Sequence, residues 1–184
     1  MRCIQFPMKS MPMVTSHLID AIRSQFRIDW HGRHGINHFA RVYDIGMKLC
    51  RQNGANCNVV GLFAIFHDSG RINEHTDPGH GRRGAAIAER LRAQYLPKLT
   101  DGEFLLLQQS CSLHTDALTH ADLTIQTCFD SDRLDLGRVG TRPDPALLCT
   151  EAAKTRKMID WAMKRSGHVG VGPASFNNLG YVDV

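Results

Sequence analysis

A bundle of about seven helices without a sheet is the fold this chain predicts, on three observations. Apolar residues recur at intervals of three and four almost throughout. Strand-like alternation is scarce, and no Asn-Gly or Asp-Gly pair joins two alternating runs. At 184 residues, 42% hydrophobic and 22% charged, the chain suits one soluble globular domain with a respectable core.

The elements follow in order. A first helix opens near Thr15 or Ser16, either a good N-cap, with Leu18, Ile19, Ile22 and Phe26 inward. Trp30 to Gly35 reads as a loop. A second helix from about Ile36 to Gln52 carries His38, Val42, Ile45 and Leu49 on one stripe, and Asn53-Gly54 ends it. A third runs from about Asn58 to Ser69, with Gly70 as its stop. After a polar loop from Arg71 to Gly79, a fourth helix spans roughly His80 to Tyr95 and halts before Pro97. A fifth starts near Thr100 or Asp101 and reaches about His114; a sixth covers about Leu118 to Leu134. Arg138 to Pro145 is irregular, and a last helix runs from about Thr150 to Lys164. The domain is thus expected over 16–165, between an N-terminal extension (1–15) and a Gly-rich tail (166–184). The apolar residues of those two ends suit packing on a second subunit, which leaves a homodimer open without fixing the oligomeric state.

Bulk properties exclude some functions. Lys and Arg exceed Asp and Glu by four, and the pI is near 8.8. That excess is too weak to argue for nucleic acid, but it fits an anionic small molecule meeting local arginines. No apolar stretch approaches the ~20 residues that span a bilayer, so no membrane role is expected. The six cysteines form no C-x-x-C pair and mostly sit in apolar patterns, as reduced thiols of a cytoplasmic protein do.

The informative feature is His67-Asp68, which closes the apolar run Val59 to Phe66. A buried imidazole beside a buried carboxylate is costly unless something pairs them, and a divalent metal does so. Other polar groups share apolar stripes: His38 with Val42 and Ile45, His80 with Gly84 and Ile87, His114 with Leu107 and Cys111, and Asp132 with Cys128 and Ile125. One such histidine is usually a satisfied core residue. Four histidines and two aspartates on five helices, all aimed inward, favour a shared metal centre. His17, His31, His34, His75, His120 and His168 lie at helix starts, in loops or in the tail, and read as solvated. His34 and His75 adjoin ligand-bearing segments and are candidates for substrate contact or ligand support.

The order His38, His67-Asp68, His80, His114, Asp132 resembles the HD-domain superfamily of metal-dependent phosphohydrolases. The matching segments are His38-Phe-Ala-Arg41-Val, Phe66-His67-Asp68-Ser-Gly-Arg71, His80-Gly-Arg-Arg-Gly84-Ala and Asp130-Ser-Asp132-Arg133-Leu-Asp135, over about residues 16–165. The resemblance implies an all-helical fold around a buried metal. His38, His67, Asp68 and Asp132 match the ligands of the single-metal minimum, and His80 and His114 match the subset that binds two. Asp68 then bridges two divalent ions (Fe or Mn first, with Zn, Ni, Co or Mg as alternatives), with a hydroxide as second bridge and nucleophile. Among Asp130, Asp132 and Asp135, only the family's A-D-x-x-D pattern favours Asp132; the other two are expected to cap or to pair with arginine.

Phosphate chemistry also needs cations. Arg71, Arg82, Arg83 and Arg133 lie near the ligands, and a guanidinium donates two bonds to phosphate at once. Arg71 is the first choice for phosphate; Arg133 is also expected to pair with an acid such as Asp135, and Arg41 to orient a ligand or brace the loop before its helix. The expectation is hydrolysis of a phosphate ester or anhydride, nucleotide-like, with Asp68 and Arg71 catalytic and Arg71, Arg82, Arg83, Arg133 and His34 binding substrate. A mixed-valent diiron oxygenase of the HD fold is the alternative, since it resembles the same ligand set. A nucleotide-binding regulator without catalysis comes third.

Overall fold

The computed structural model describes residues 14–166. Among these the chain is all helical: eight α-helices and two short 3-10 segments, without a strand. The expected N-terminal extension and Gly-rich tail, with the dimer contact assigned to them, lie almost wholly outside the described residues. No helix among the described residues is long and apolar enough to cross a membrane.

Helix α1 (Ser16–Arg23) starts where the Thr15 hydroxyl accepts the Leu18 N–H. It is shorter than its apolar pattern suggests: Phe26 lies past its end and packs edge-on against Trp30 and Phe39. Helix α2 (Ile36–Asn53) ends at Gly54, in left-handed backbone at φ 78°. Helix α3 (Cys57–Phe66) is apolar on every side, and Val59 to Phe66 are all buried, as expected for a helix at the centre of a bundle.

Helix α3 stops three residues earlier than its sequence suggests, at His67-Asp68. There the Ser69 N–H and hydroxyl both take the Phe66 carbonyl, at 3.1 and 2.7 Å, the acceptor that the Gly70 N–H would use in another helical turn. Gly70 is not the left-handed stop expected of it, since its φ is not positive. It makes room instead: a Cβ there would lie 2.6 Å from the Arg83 Cβ and the Gly84 backbone of the next helix.

That next helix, α4 (His80–Tyr95), matches its expected bounds. Its Gly84 sits so close to α3 that a Cβ would lie 2.2 Å from the Phe66 carbonyl oxygen. Helix α5 (Asp101–Leu113) begins with a capping box between Thr100 and Glu103 and ends with His114 as its cap. Helix α6 (Leu123–Arg133) starts later than periodicity implies, because Asp122 caps Thr124 and Ile125. A 3-10 segment, Leu134–Val139, continues α6 into the region expected to be irregular; a second short one is Pro145–Leu147. The expected last helix is two, α7 (Glu151–Lys154) and α8 (Arg156–Ser166). Thr155, extended at ψ 136°, splits them, and its hydroxyl accepts the Met158 N–H.

The apolar side chains form two cores. The larger gathers α1 to α5 around α3; the smaller joins Ile45 and Leu49 of α2 to Leu134, Leu148, Met158 and Ile159. Helix α2 therefore has apolar neighbours on two sides, which fixes the rotation that presents His38.

Candidate metal centre

The six expected ligands converge. His38 projects from α2, His67 and Asp68 follow the end of α3, His80 opens α4, His114 caps α5, and Asp132 lies in the last turn of α6. They fall into two groups able to hold a metal ion: His38, His67 and Asp132, and Asp68, His80 and His114. The four imidazoles and Asp68 are buried, and the Asp132 side chain is 22% exposed.

Asp68 lies between the groups. Its Oδ2 is 3.5 Å from His38 Nε2 and 3.6 Å from His67 Nε2, whereas its Oδ1 is 3.1 Å from His80 Nε2 and 3.9 Å from His114 Nε2. Asp132 Oδ1 faces the first pair, 3.4 Å from His38 and 3.8 Å from His67. The His67 and His114 rings, 5.2 Å apart between centroids, bring the two groups side by side.

Every ring turns its Nε2 inward because its Nδ1 is engaged elsewhere. His67 Nδ1 meets the Phe63 carbonyl at 3.1 Å, His80 Nδ1 the Asp77 carbonyl at 2.7 Å, and His114 Nδ1 the Cys111 carbonyl at 2.8 Å. His38 Nδ1 meets Asp135 Oδ2 at 2.8 Å. A carbonyl only accepts, so the Nδ1 proton is fixed and an Nε2 lone pair is free for a cation. The His38 and His67 Nε2 atoms are 3.0 Å apart, as are those of His80 and His114. Lone pairs so close repel unless a shared cation, proton or metal, relieves them. Buried imidazole nitrogen with carboxylate oxygen is a donor set that suits first-row divalent metals.

The electrostatics agree. Burial favours the neutral carboxyl of Asp68, but His67, His38 and His80 outweigh it and hold the group well below the usual carboxylate range. Asp132 is lowered in the same way: burial opposes, and His38, His67 and Arg138 prevail. Within each histidine pair the shifts are opposite. Burial and Arg138 pull His38 down, yet Asp132, Asp135 and Asp68 push it up to about 9, while burial holds His67 down to about 3. Burial likewise lowers His114, whereas for His80 the Asp68 carboxylate outweighs burial.

Comparison with protein-family models, with curated proteins and with solved structures gives no match to this chain. The site is therefore read from its own geometry.

A cavity of about 320 Å³ opens over the centre, with Asp68, His80, His114 and Asp132 on its floor and Arg71, Arg133 and Arg138 on its walls. Arg71 donates to Asp68 Oδ1 at 2.9 Å and to the His75 carbonyl at 3.2 Å. Arg133 lines the cavity but spends its guanidinium on backbone: the carbonyls of Ala117, Leu118 and Leu147 accept at 2.6, 2.7 and 2.9 Å. It does not pair with Asp135, whose partners are His38, Arg41 Nε at 2.8 Å and Ser166 Oγ at 3.0 Å. Arg41 thus braces a ligand through Asp135. Asp130 caps, accepting from the Cys149 and Thr150 N–H groups and the Thr150 hydroxyl.

Three sequence candidates stand off this cavity. Arg82 is exposed on the first turn of α4. Arg83 pairs with Asp77 and donates to the Gly70 carbonyl, tying down the loop between α3 and α4. His34 is buried, with Nδ1 2.5 Å from Glu74 Oε2, and anchors the same loop from the other side.

One cavity residue escaped sequence reasoning. Arg138, at the end of the 3-10 segment, has Nη2 3.9 Å from Asp132 Oδ1 and Nη1 3.2 Å from the Asp135 carbonyl. Its Nε is buried without a hydrogen-bond partner among the described residues. The available signal is spacing: Arg138 follows Asp135 by three residues and Asp132 by six, one face of a helical continuation.

Proposed function

We propose that this chain is a metal-dependent hydrolase of a phosphate ester or anhydride. The observation that carries the reading is Asp68, which turns one carboxylate oxygen to each of two buried histidine pairs. Two divalent ions, when bound, supply an acidified water and positive charge for phosphoryl oxygens. His38, His67 and Asp132 are the residues to hold one ion, His80 and His114 the other, with Asp68 shared. The ligand order, which resembles that of HD-domain phosphohydrolases, supports the same reading.

The chain's remaining groups suit an anionic substrate. Arg71 stands beside Asp68 and Arg138 beside Asp132, so one guanidinium flanks each ligand group at the cavity wall. Planar forks at two sides bind and orient a tetrahedral anion. The Thr115 hydroxyl, 3.3 Å from Nε2 of both His80 and His114, adds a donor at the floor.

The test is elemental analysis of protein purified without chelator, with phosphate release measured anaerobically in Mn(II) or Fe(II). Two metals per chain and anaerobic turnover are expected, and His67→Ala or Asp68→Ala is expected to abolish both. Full hydrolysis by a metal-free double variant would sink the reading. Oxygen consumption with an organic substrate, without anaerobic phosphate release, would replace it with the oxygenase.

A further inference from the structure

Beyond its floor and the wall arginines the cavity is largely apolar. Leu118, Leu136, Pro143, Leu147 and Leu148 line it, with neither an aromatic ring nor a side-chain amide among them. Leu118 and Leu147 are 75% and 55% exposed, large apolar side chains left facing solvent at the cavity. They stand on two separate segments, a loop and the 3-10 turn Pro145–Leu147, and Arg133 clips these together by donating to carbonyls of both, Ala117 and Leu118 on one and Leu147 on the other. An arginine whose donors hold two leucine-bearing segments in place marks the wall as a built surface.

We infer that the substrate is a small phosphate monoester with a short aliphatic body, its phosphoryl end between Arg71 and Arg138 and its carbon chain against Leu118 and Leu147. This rests on the phosphohydrolase reading and narrows it away from nucleotides. A nucleobase is held by aromatic stacking and by directed hydrogen bonds, and this wall has no aromatic ring and no side-chain amide. Of the further acid there, Asp144, one oxygen accepts the Ala146 N–H at 2.9 Å. At about 320 Å³ the cavity has room for a phosphoryl group and a short chain. At the polar end Arg138 has one backbone acceptor at 3.2 Å, the Asp132 and Asp135 carboxylates only at 3.9 and 3.8 Å, and an Nε without a hydrogen-bond partner among the described residues.

The experiment is calorimetric titration of the metal-loaded protein with methyl-, propyl- and pentylphosphonate, which keep the headgroup and lack the scissile ester, and with adenosine monophosphate. Affinity is expected to rise about fourfold per added methylene and to exceed that for the nucleotide. The Leu118→Ser/Leu147→Ser variant is expected to lose the chain-length dependence at unchanged metal content; both side chains are exposed, so folding is preserved. Arg138→Gln is expected to weaken all three phosphonates alike, by about tenfold or more, leaving the length dependence intact. A flat length series, or tighter binding of the nucleotide that ignores both leucines, overturns this inference and leaves the hydrolase reading standing. Failure of every phosphonate and phosphate to bind the metal-loaded protein overturns both.

Discussion

Replacing Asp135 by Asn removes a charge from a place with no water to replace it. The side chain is fully buried and accepts three bonds: His38 Nδ1 at 2.8 Å, Arg41 Nε at 2.8 Å and Ser166 Oγ at 3.0 Å. An amide of the same shape keeps one oxygen and turns an NH₂ toward one of its former donors. Arg41, 12% exposed, loses its countercharge, and breaking a buried pair from one side costs about 3–5 kcal/mol of folding stability. The ligand effect is separate. His38 loses the partner that fixes its tautomer and raises its basicity, a change worth about 10- to 100-fold in metal affinity. The loss should fall on the group His38, His67 and Asp132 and spare Asp68, His80 and His114. Stepwise metal titration of Asp135→Asn reads the two sites, and thermal melting of the metal-free protein separates stability from affinity. Equal weakening of both steps, or of neither, would refute the claim that Asp135 acts by holding His38.

Three further substitutions test other joints of the fold. Gly84→Ala places a methyl group 2.2 Å from the Phe66 carbonyl oxygen and 3.1 Å from that of His67. Helix α4 must back away, at a cost of about 1–3 kcal/mol, and titration should show weaker binding at the group containing His80. Asp130→Ala strips acceptors from the half-buried Cys149 N–H and the buried Thr150 N–H, about 1–3 kcal/mol for the buried one; urea unfolding should show the loss while metal stoichiometry stays the same. Asp77→Asn addresses pH. Burial alone would raise this carboxyl, but the Ile72 N–H and Arg83 outweigh it and bring it below its ordinary value. Its stabilisation is therefore present above the unfolded pKa near 3.8 and lost as the pH falls through the lower folded value. The variant should be less stable at neutral pH and lose less on acidification, as followed by circular dichroism melts from pH 7 to pH 3.

The ligands were legible in sequence because each occupies a position the helical period assigns to the interior, where an unpaired polar group is expensive. His38 among Val42, Ile45 and Leu49 is the clearest case, and the structure buries it there. The assignment of Asp132 over Asp130 and Asp135 came from resemblance, and the structure places it with His38 and His67 for a local reason: Asp130 points to the start of α7, and Asp135 lies behind His38. The cavity wall was less legible. Arg138 lies in a stretch with Gly137, Gly140 and Pro143 that shows no apolar period, so only its spacing from Asp132 and Asp135 marked its direction. Arg133, adjacent to a ligand, looked like a phosphate contact. Its role as a clip depends on two segments that only the tertiary fold brings within its reach. The same limit explains Gly70, whose need for space comes from α4, thirteen residues on at Arg83.

Three of the four imidazoles take their orientation from backbone carbonyls three or four residues earlier, and one takes it from another side chain. No point substitution can delete the oxygens of Phe63, Asp77 or Cys111. For His67, His80 and His114 the ring is aimed for as long as the adjoining turn persists, so their misalignment and local unfolding are a single event. His38 is different, because Asp135 and, through it, Arg41 can be exchanged one residue at a time. The adjustable half of this centre is therefore the one that contains His38. Variation that retunes metal preference or ligand basicity without loosening the bundle has its natural place at Asp135 and Arg41.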